Sequence, residues 1–296
     1  MRLLWFVSEV GHRAAFEQWL DQAGLSHWQP VTRKPADLCV EPSCDCIELS
    51  VEAIDEGQLC EAAEAVKTDW LLVRDERPRL ALFDMDSTLI QQEVIDQLAG
   101  AFGLGDQVSA ITERAMRGEL DFIASFTERL GLLRGLAETE LDSVYAKLTL
   151  MPGADVLAAN LSAAGVRLGI VSGGFSYFAD RIGERLGMDF VLSNVLQCRH
   201  GQVTGEVIPP VIDGSMKLKT LQSEVKALGI SLAETIAVGD GANDIPMLKA
   251  SGIGVAHHAK PKVRAEANHC LNYQDLSALS YLVKFRLSDA SFRECW

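Results

Sequence analysis

Two aspartates one residue apart end a short apolar run in RLALFDMDSTLI, residues 79 to 90. An apolar run of that length, bounded by polar residues, predicts a buried strand. Asp84 and Asp86 then fall at the carboxyl end of the strand, where open α/β sheets place their ligands. Alternation along an extended chain puts both carboxylates on one side, with Met85 turned the other way. Two like charges so close repel, and they are costly to bury unless a cation or a shared proton compensates. A divalent metal with oxygen ligands meets that requirement. A solitary pair of this kind would fit an acidic turn better, so the decision rests on three segments further along the chain.

VRLGIVSGGF, residues 166 to 175, is a second buried-strand pattern ending in Ser172, Gly173 and Gly174. A hydroxyl followed by backbone N–H groups without side chains in the way suits a phosphoryl group. Lys217, in GSMKLKTL, stands shortly before a helix-like stretch, and by itself reads as a solvated surface charge. TIAVGDGANDIPML, residues 235 to 248, runs from a strand into Gly239-Asp240-Gly241 and opens a helix at Asn243-Asp244 with N-cap chemistry. Each segment alone is commonly just a turn or a cap. Their order, each at or near a predicted strand, is what carries weight.

The elements that must hold these residues can be read from pattern. Residues 84 to 253 alternate strands and helices, which predicts a doubly wound parallel sheet of the α/β class. Between about 91 and 150 there is no strand signal, only the helical segments VIDQLAGAF, VSAITERAMRG, DFIASFTERLGLL and ETELDSVYAKL. A helical bundle of that size reads as a cap over the site. CRHGQVTGEV, around Gly201, predicts a hairpin, and Val195 to Pro210 is expected to be a flap outside the sheet.

Residues 1 to 75 differ from the rest. LLWFV reads as a strand and RAAFEQWLDQAG as a helix. Strand-like stretches come next around His27 to Thr32 and Cys46 to Val51, then a helix over Glu56 to Thr68 and a strand over Trp70 to Val73. The order βαββαβ predicts a small α+β domain of ferredoxin-like form. Arg74 to Arg79, charged and containing Pro78, is the expected linker, so the division is 1–75 and 79–296.

A length of 296 residues fits about two domains. A formal charge of −14 argues against nucleic acid or an anionic membrane as partner. No run of about 20 apolar residues occurs, and MRLLWFVSEVGHR lacks a signal-peptide layout, so the expectation is a soluble, cytoplasmic protein. Seven cysteines, an odd number, fit reduced thiols better than a disulfide framework. Cys39, Cys44 and Cys46 raise zinc binding, but no fourth ligand is evident, and ordinary thiols are the better reading.

The aspartate pair, serine, lysine and second acidic cluster, in that order, resemble the haloacid dehalogenase superfamily of phosphotransferases. The resemblance covers about the last 220 residues and all four signature motifs. DMDSTLIQQEVIDQLA, AMRGELDFIASFTERLGLL, VSGGF and VGDGANDIPML narrow it to the branch that acts on phosphoserine. What the resemblance implies is hydrolysis of O-phospho-L-serine through an aspartyl-phosphate, the last step of serine biosynthesis, with Mg2+ as cofactor. It implies Asp84 as nucleophile and Asp86 as acid and base, with Asp84, Asp86 (by its carbonyl) and Asp240 on the metal and Asp244 as a weaker candidate. Ser172, the Gly173 N–H, Lys217 and Asn243 would hold the phosphoryl group. Glu93 would take the substrate ammonium and Arg129 its carboxylate, and Met116 and Phe122 resemble apolar cap residues.

The N-terminal element order resembles small ACT-type regulatory domains, which leaves open an amino-acid ligand for residues 1 to 75 and a homodimer contact. Phosphohomoserine is the rival substrate. A catalytically idle amino-acid sensor is the rival of another class, and its mark would be a lost nucleophile, whereas Asp84 is present.

Overall fold

The computed structural model describes residues 1–23, 31–33, 38–51, 54–74, 76–117 and 119–283, with the side chains of Val10, Arg33, Met116 and Phe122 also outside the described set. The expectations for Met116 and Phe122, and for residues 27–30 of the second strand, therefore lie outside the described residues.

The N-terminal segment forms β1 (Arg2–Val7), α1 (Val10–Gln22), β2 (Val31–Arg33), β3 (Asp45–Ser50), α2 (Glu56–Val66) and β4 (Trp70–Val73). These strands make an antiparallel sheet in the order β2-β3-β1-β4. RLLWFV does not alternate in polarity, and the packing explains why. Leu3 and Trp5 face a cluster with Phe16, Trp19 and Leu59 of the two helices, while Leu4 and Phe6 belong to the cluster that continues into the rest of the molecule. A strand buried on both faces has no solvated positions to make polar. The second helix ends at Val66, two residues before the expected Thr68, because Lys67 takes the left-handed conformation at φ 54° and closes it.

Polar contacts at Asp69 and Tyr281 are among those that tie this segment to the remainder. The Asp69 carboxylate accepts backbone N–H groups from Asn272, Tyr273 and Gln274 at 2.9, 2.7 and 2.8 Å. The Tyr281 hydroxyl donates to the Cys44 carbonyl at 2.7 Å.

The larger sheet begins with β5 (Leu80–Phe83), buried at all four residues. The chain then runs through α3 (Val94–Ala101), α4 (Gly105–Met116), α5 (Phe122–Leu132), α6 (Thr139–Tyr145) and α7 (Ala154–Ala163) to β6 (Arg167–Phe175). It continues through α8 (Ser176–Leu186), β7 (Phe190–Arg199), β8 (Gln202–Ile208), α9 (Gly214–Leu228) and β9 (Thr235–Gly239). It closes with α10 (Ile245–Ala250), β10 (Ile253–His257), α11 (Pro261–Glu266) and β11 (His269–Leu271). The order is β11-β10-β9-β5-β6-β7-β8, with every pair parallel except the last. β5 is central: Ala81 and Phe83 enter one apolar cluster, and Leu80 and Leu82 the other.

The helical insertion is pinched at its base, where Ile90 bridges Leu150 and Gln91 N donates to Thr149 O at 3.0 Å. One expectation is corrected. The hairpin is not a flap outside the sheet, because β7 pairs β6 through Asn194 and then pairs β8 from Val195 to Arg199. A ten-residue strand outruns its first partner, and the freed half recruits β8 as the sheet's edge. Ala137 bridges Gln202, which fastens that edge to the insertion.

Candidate active site

The site lies at the carboxyl ends of β5, β6 and β9. Asp84 continues the strand, its N–H donating to Val238 O at 3.0 Å, and is 6% exposed. The chain then turns sharply: Leu89 N and Ile90 N donate to Met85 O at 2.9 and 3.1 Å, and Ser87 sits at φ 55°. That turn returns several side chains to the site. Asp86 Oδ1 accepts from Val94 N at 3.2 Å, Ser87 Oγ donates to Glu93 Oε1 at 3.0 Å, and Thr88 Oγ1 donates to Asp240 Oδ1 at 3.1 Å.

Lys217 is not ahead of a helix, as its sequence context implied, but inside the first turn of α9. Asp213 caps that helix, accepting from Met216 N at 2.9 Å. A side-chain carbon on Gly214 would lie 2.7 Å from the Asn243 carbonyl, so glycine lets α9 close on the loop before α10. The fully buried Lys217 Nζ thereby reaches Asp244 Oδ1 at 2.6 Å and Asp84 Oδ1 at 2.9 Å. Asp244 stands at the N-cap position of α10, but its carboxylate makes no cap bond. It is turned inward, where its other oxygen accepts Gly241 N at 2.9 Å.

Ser172 is fully buried, and its Oγ accepts from Gly174 N at 2.9 Å. A side-chain carbon on Gly174 would fall 2.6 Å from Asp86 Oδ2, so the glycine permits β6 to approach the aspartate pair. Asn194, buried and unremarked in sequence, donates to Gly173 O at 2.8 Å and accepts from Ile212 N at 2.9 Å. It clamps the serine-glycine turn to the segment leading into α9. A lone asparagine in an apolar strand carries a signal only once its partners are known. Thr88 also went unremarked.

The ligand oxygens of Asp84, Asp240 and Asp244 lie within 4.8 Å of one another. Burial and then Asp84, Asp244 and Glu93 push the Asp240 carboxyl up to about 8, against the Thr88 hydrogen bond. Burial and Asp84 raise Asp244 to about 7, although Lys217 opposes them. Burial alone would lower the Lys217 ammonium, but Asp244 and Asp84 outweigh it and hold it above its usual range. One ammonium among three carboxylates leaves negative charge, and an all-oxygen set of this kind fits a hard divalent cation. The carboxylate of Asp86 is not in that set; it is turned to Val94 N and Gly174.

A cleft of about 800 Å³ opens above these groups, lined by Asp84, Asp86, Glu93, Arg129, Gly173, Asp240 and Asn243, among others. Ser172 and Lys217 are fully buried and lie outside that lining. Arg129 comes from α5, where its Nε donates to Ser125 O at 3.4 Å. The site residues named from sequence thus come together around one cleft.

The model of the haloacid dehalogenase-like hydrolase family matches residues 78–252. A phosphoserine phosphatase of Archaeoglobus fulgidus is 42% identical over 216 residues, 73% of this chain and 62% of that protein. Phosphoserine phosphatase SerB2 of Mycobacterium tuberculosis is 45% identical over 262 residues, 88% of this chain and 63% of that protein. This chain therefore spans less than two thirds of the length of these curated relatives. The crystal structure of a haloacid dehalogenase family hydrolase from Salmonella enterica superposes with a TM-score of 0.87 at 32% identity, over 97% of this chain and 100% of that one. With its aspartates, serine and buried lysine at the ends of three neighbouring parallel strands and the helix beside them, the chain belongs to the haloacid dehalogenase-like hydrolase family.

Proposed function

We propose that this chain hydrolyses O-phospho-L-serine to L-serine and phosphate through an aspartyl-phosphate on Asp84, the closing reaction of serine biosynthesis. The observation that carries the reading is Asp84 itself. It is buried at a cleft floor and paired at 2.9 Å with Lys217, with Asp86 beside it and Glu93 and Arg129 also lining the cleft.

In this reading an Asp84 oxygen attacks phosphorus and the bond from phosphorus to the serine oxygen breaks. Asp86 gives that oxygen its proton. Burial first, then Glu93 and Asp84, hold its carboxyl well above the ordinary range, which favours the protonated form that a general acid needs. Asp86 next takes a proton from the water that attacks phosphorus, and the bond to Asp84 breaks. The Ser172 hydroxyl, the Gly173 N–H and Asn243 steady the phosphoryl oxygens, and Lys217 offsets the charge of Asp84 and phosphate together. Asp84, the Asp86 carbonyl and Asp240 would hold Mg2+, with Asp244 beside them. When bound, the ion supplies further charge neutralisation at the phosphoryl oxygens. Glu93 recognises the ammonium and Arg129 the carboxylate.

Residues 1–75 form, in this reading, a ferredoxin-like, ACT-type unit beside a hydrolase domain of residues 79–296. The antiparallel order β2-β3-β1-β4 and the packing of both helices against one sheet face support this. Calorimetry of the full chain against serine and other amino acids tests whether that unit takes a ligand.

Phosphate release with Mg2+ from phosphoserine, phosphohomoserine and an aryl phosphate tests the function. Phosphoserine should be turned over most efficiently. Equal efficiency on the aryl ester would sink the assignment of substrate.

A further inference from the structure

Lys260 enters the cleft from the core side on a turn that is fixed at both ends. His258 N donates to Leu271 O at 2.9 Å, and Val263 N and Arg264 N donate to Lys260 O at 2.9 and 3.1 Å. Ala259 and Val263 are buried in the same apolar cluster, and Pro261 opens α11 with its backbone angle already helical. The backbone under Lys260 is therefore held, while its side chain lines the cleft. No hydrogen bond or ion pair joins that ammonium to another described residue.

The charge balance of the cleft gives this cation a task. Lys217 is already committed to Asp84 and Asp244, at 2.9 and 2.6 Å. A phosphorylated amino acid brings a dianionic phosphate and a carboxylate to a cleft that Asp84, Asp86, Glu93 and Asp240 already line. Arg129 and Lys260 are cations on its walls that form no ion pair with a carboxylate among the described residues, although the charge of Lys260 is felt at Glu93. Lys262 also lines it, but its field acts on the exposed Glu266 along α11, whereas that of Lys260 acts on Glu93. In an α-amino acid the ammonium and the carboxylate share one carbon. A substrate whose ammonium meets Glu93 therefore carries its carboxylate within the same cleft that Lys260 lines.

We propose that Lys260 is a specificity-determining residue that takes the substrate carboxylate from the core side, while Arg129 takes it from α5. This rests on the reading of phosphoserine as substrate. A point charge on the rigid core can engage the carboxylate whatever the position of the helical insertion, and the arginine fork adds direction.

The test uses the full chain with Mg2+ and two compounds, phosphoserine and O-phosphoethanolamine, which keeps phosphate and ammonium but lacks the carboxylate. The second is measured as a substrate or, failing turnover, as a competitive inhibitor. Lys260→Gln should lower the preference for phosphoserine over phosphoethanolamine about tenfold, chiefly through KM, the scale of one charged hydrogen bond. Lys260→Arg should keep most of that preference. An unchanged preference overturns the proposal, as does an equal loss on both compounds, which would make Lys260 a general attractor of phosphate or a support for Glu93. Failure of the wild type to hydrolyse phosphoserine is a separate result that removes the substrate assignment itself, and this inference with it.

Discussion

Lys217 Nζ lies 2.9 Å from Asp84 Oδ1, with the ammonium shut away completely from solvent. The residue that the mechanism needs most negative is therefore matched with a cation the solvent cannot screen. Lys217→Met would strand Asp84 and Asp244 without their counter-ion. Removing one member of such a buried set costs roughly 3–5 kcal/mol of stability. Thermal or denaturant unfolding should show that loss, with phosphate release falling to background. A variant as stable as the wild type would mean that the carboxylates find another compensation.

Asp84→Asn should keep the fold and lose turnover, because an amide is a poor nucleophile. Circular dichroism checks the first part and single-turnover phosphate release the second. In the wild type, beryllofluoride should add density to the Asp84 carboxylate. Density on Ser172 instead would make the serine the nucleophile.

Arg129→Lys should damage recognition selectively. Loss of the two-pronged grip on a carboxylate weakens phosphoserine turnover by roughly 1–3 kcal/mol in apparent transition-state energy. An aryl phosphate offers no carboxylate and should be hydrolysed nearly as before. Similar losses on both would place Arg129 in support of the helices.

Asp69 accepts three consecutive backbone N–H groups, from Asn272 to Gln274, which water would have to replace if the N-terminal segment left. Asp69→Ala should lower stability by about 1–3 kcal/mol, the cost of leaving buried donors unpaired, while turnover per folded molecule stays within about twofold. A chain beginning at Arg77 should keep Mg2+-dependent activity but aggregate more readily, because it uncovers the side of Leu276–Leu282 where Ser277 meets Ser43 and Tyr281 meets Cys44, while α7 stays against the rest. Loss of activity in the folded remainder would give residues 1–75 a part in the chemistry.

His257 is fully buried with neither ring nitrogen partnered, and burial followed by His258 lowers its pKa from 6.5 to about 3. Burial likewise lowers His269 to about 4. Between those values and 6.5 the unfolded chain binds protons that the native protein does not. Each histidine by itself therefore makes stability fall as pH drops through that window, by up to about 1.4 kcal/mol per pH unit, against the buried carboxyls of Asp86, Asp240 and Asp244, whose raised pKa acts with the opposite sign. His257→Phe should lower the slope of unfolding free energy against pH between about 6 and 4 by up to about 1.4 kcal/mol per pH unit. An unchanged slope would show that His257 is protonated in the native state.

The linear order of residues determined a good deal here. LALF is apolar throughout, and TIAVG carries only apolar residues and glycine after its threonine, because both faces of a parallel strand are covered, so the strands were legible, as were the positions of Asp84, Asp86 and Asp240 beside strand ends and of Ser172 in the last half of its strand. The βαββαβ order of the first 73 residues was legible for the same reason, from period and turn residues. Only the tertiary structure decided which charges are buried and which meet. Lys217 looks like any surface lysine until Gly214 lets α9 close on Asn243, and Asp244 looks like a helix cap until that lysine turns it inward. The extension of β7 into an edge hairpin, the clamp made by Asn194 and the entry of Lys260 into the cleft likewise depend on partners far along the chain. Polarity and period are properties of a segment, whereas the environment of a charge belongs to all the segments that converge on it.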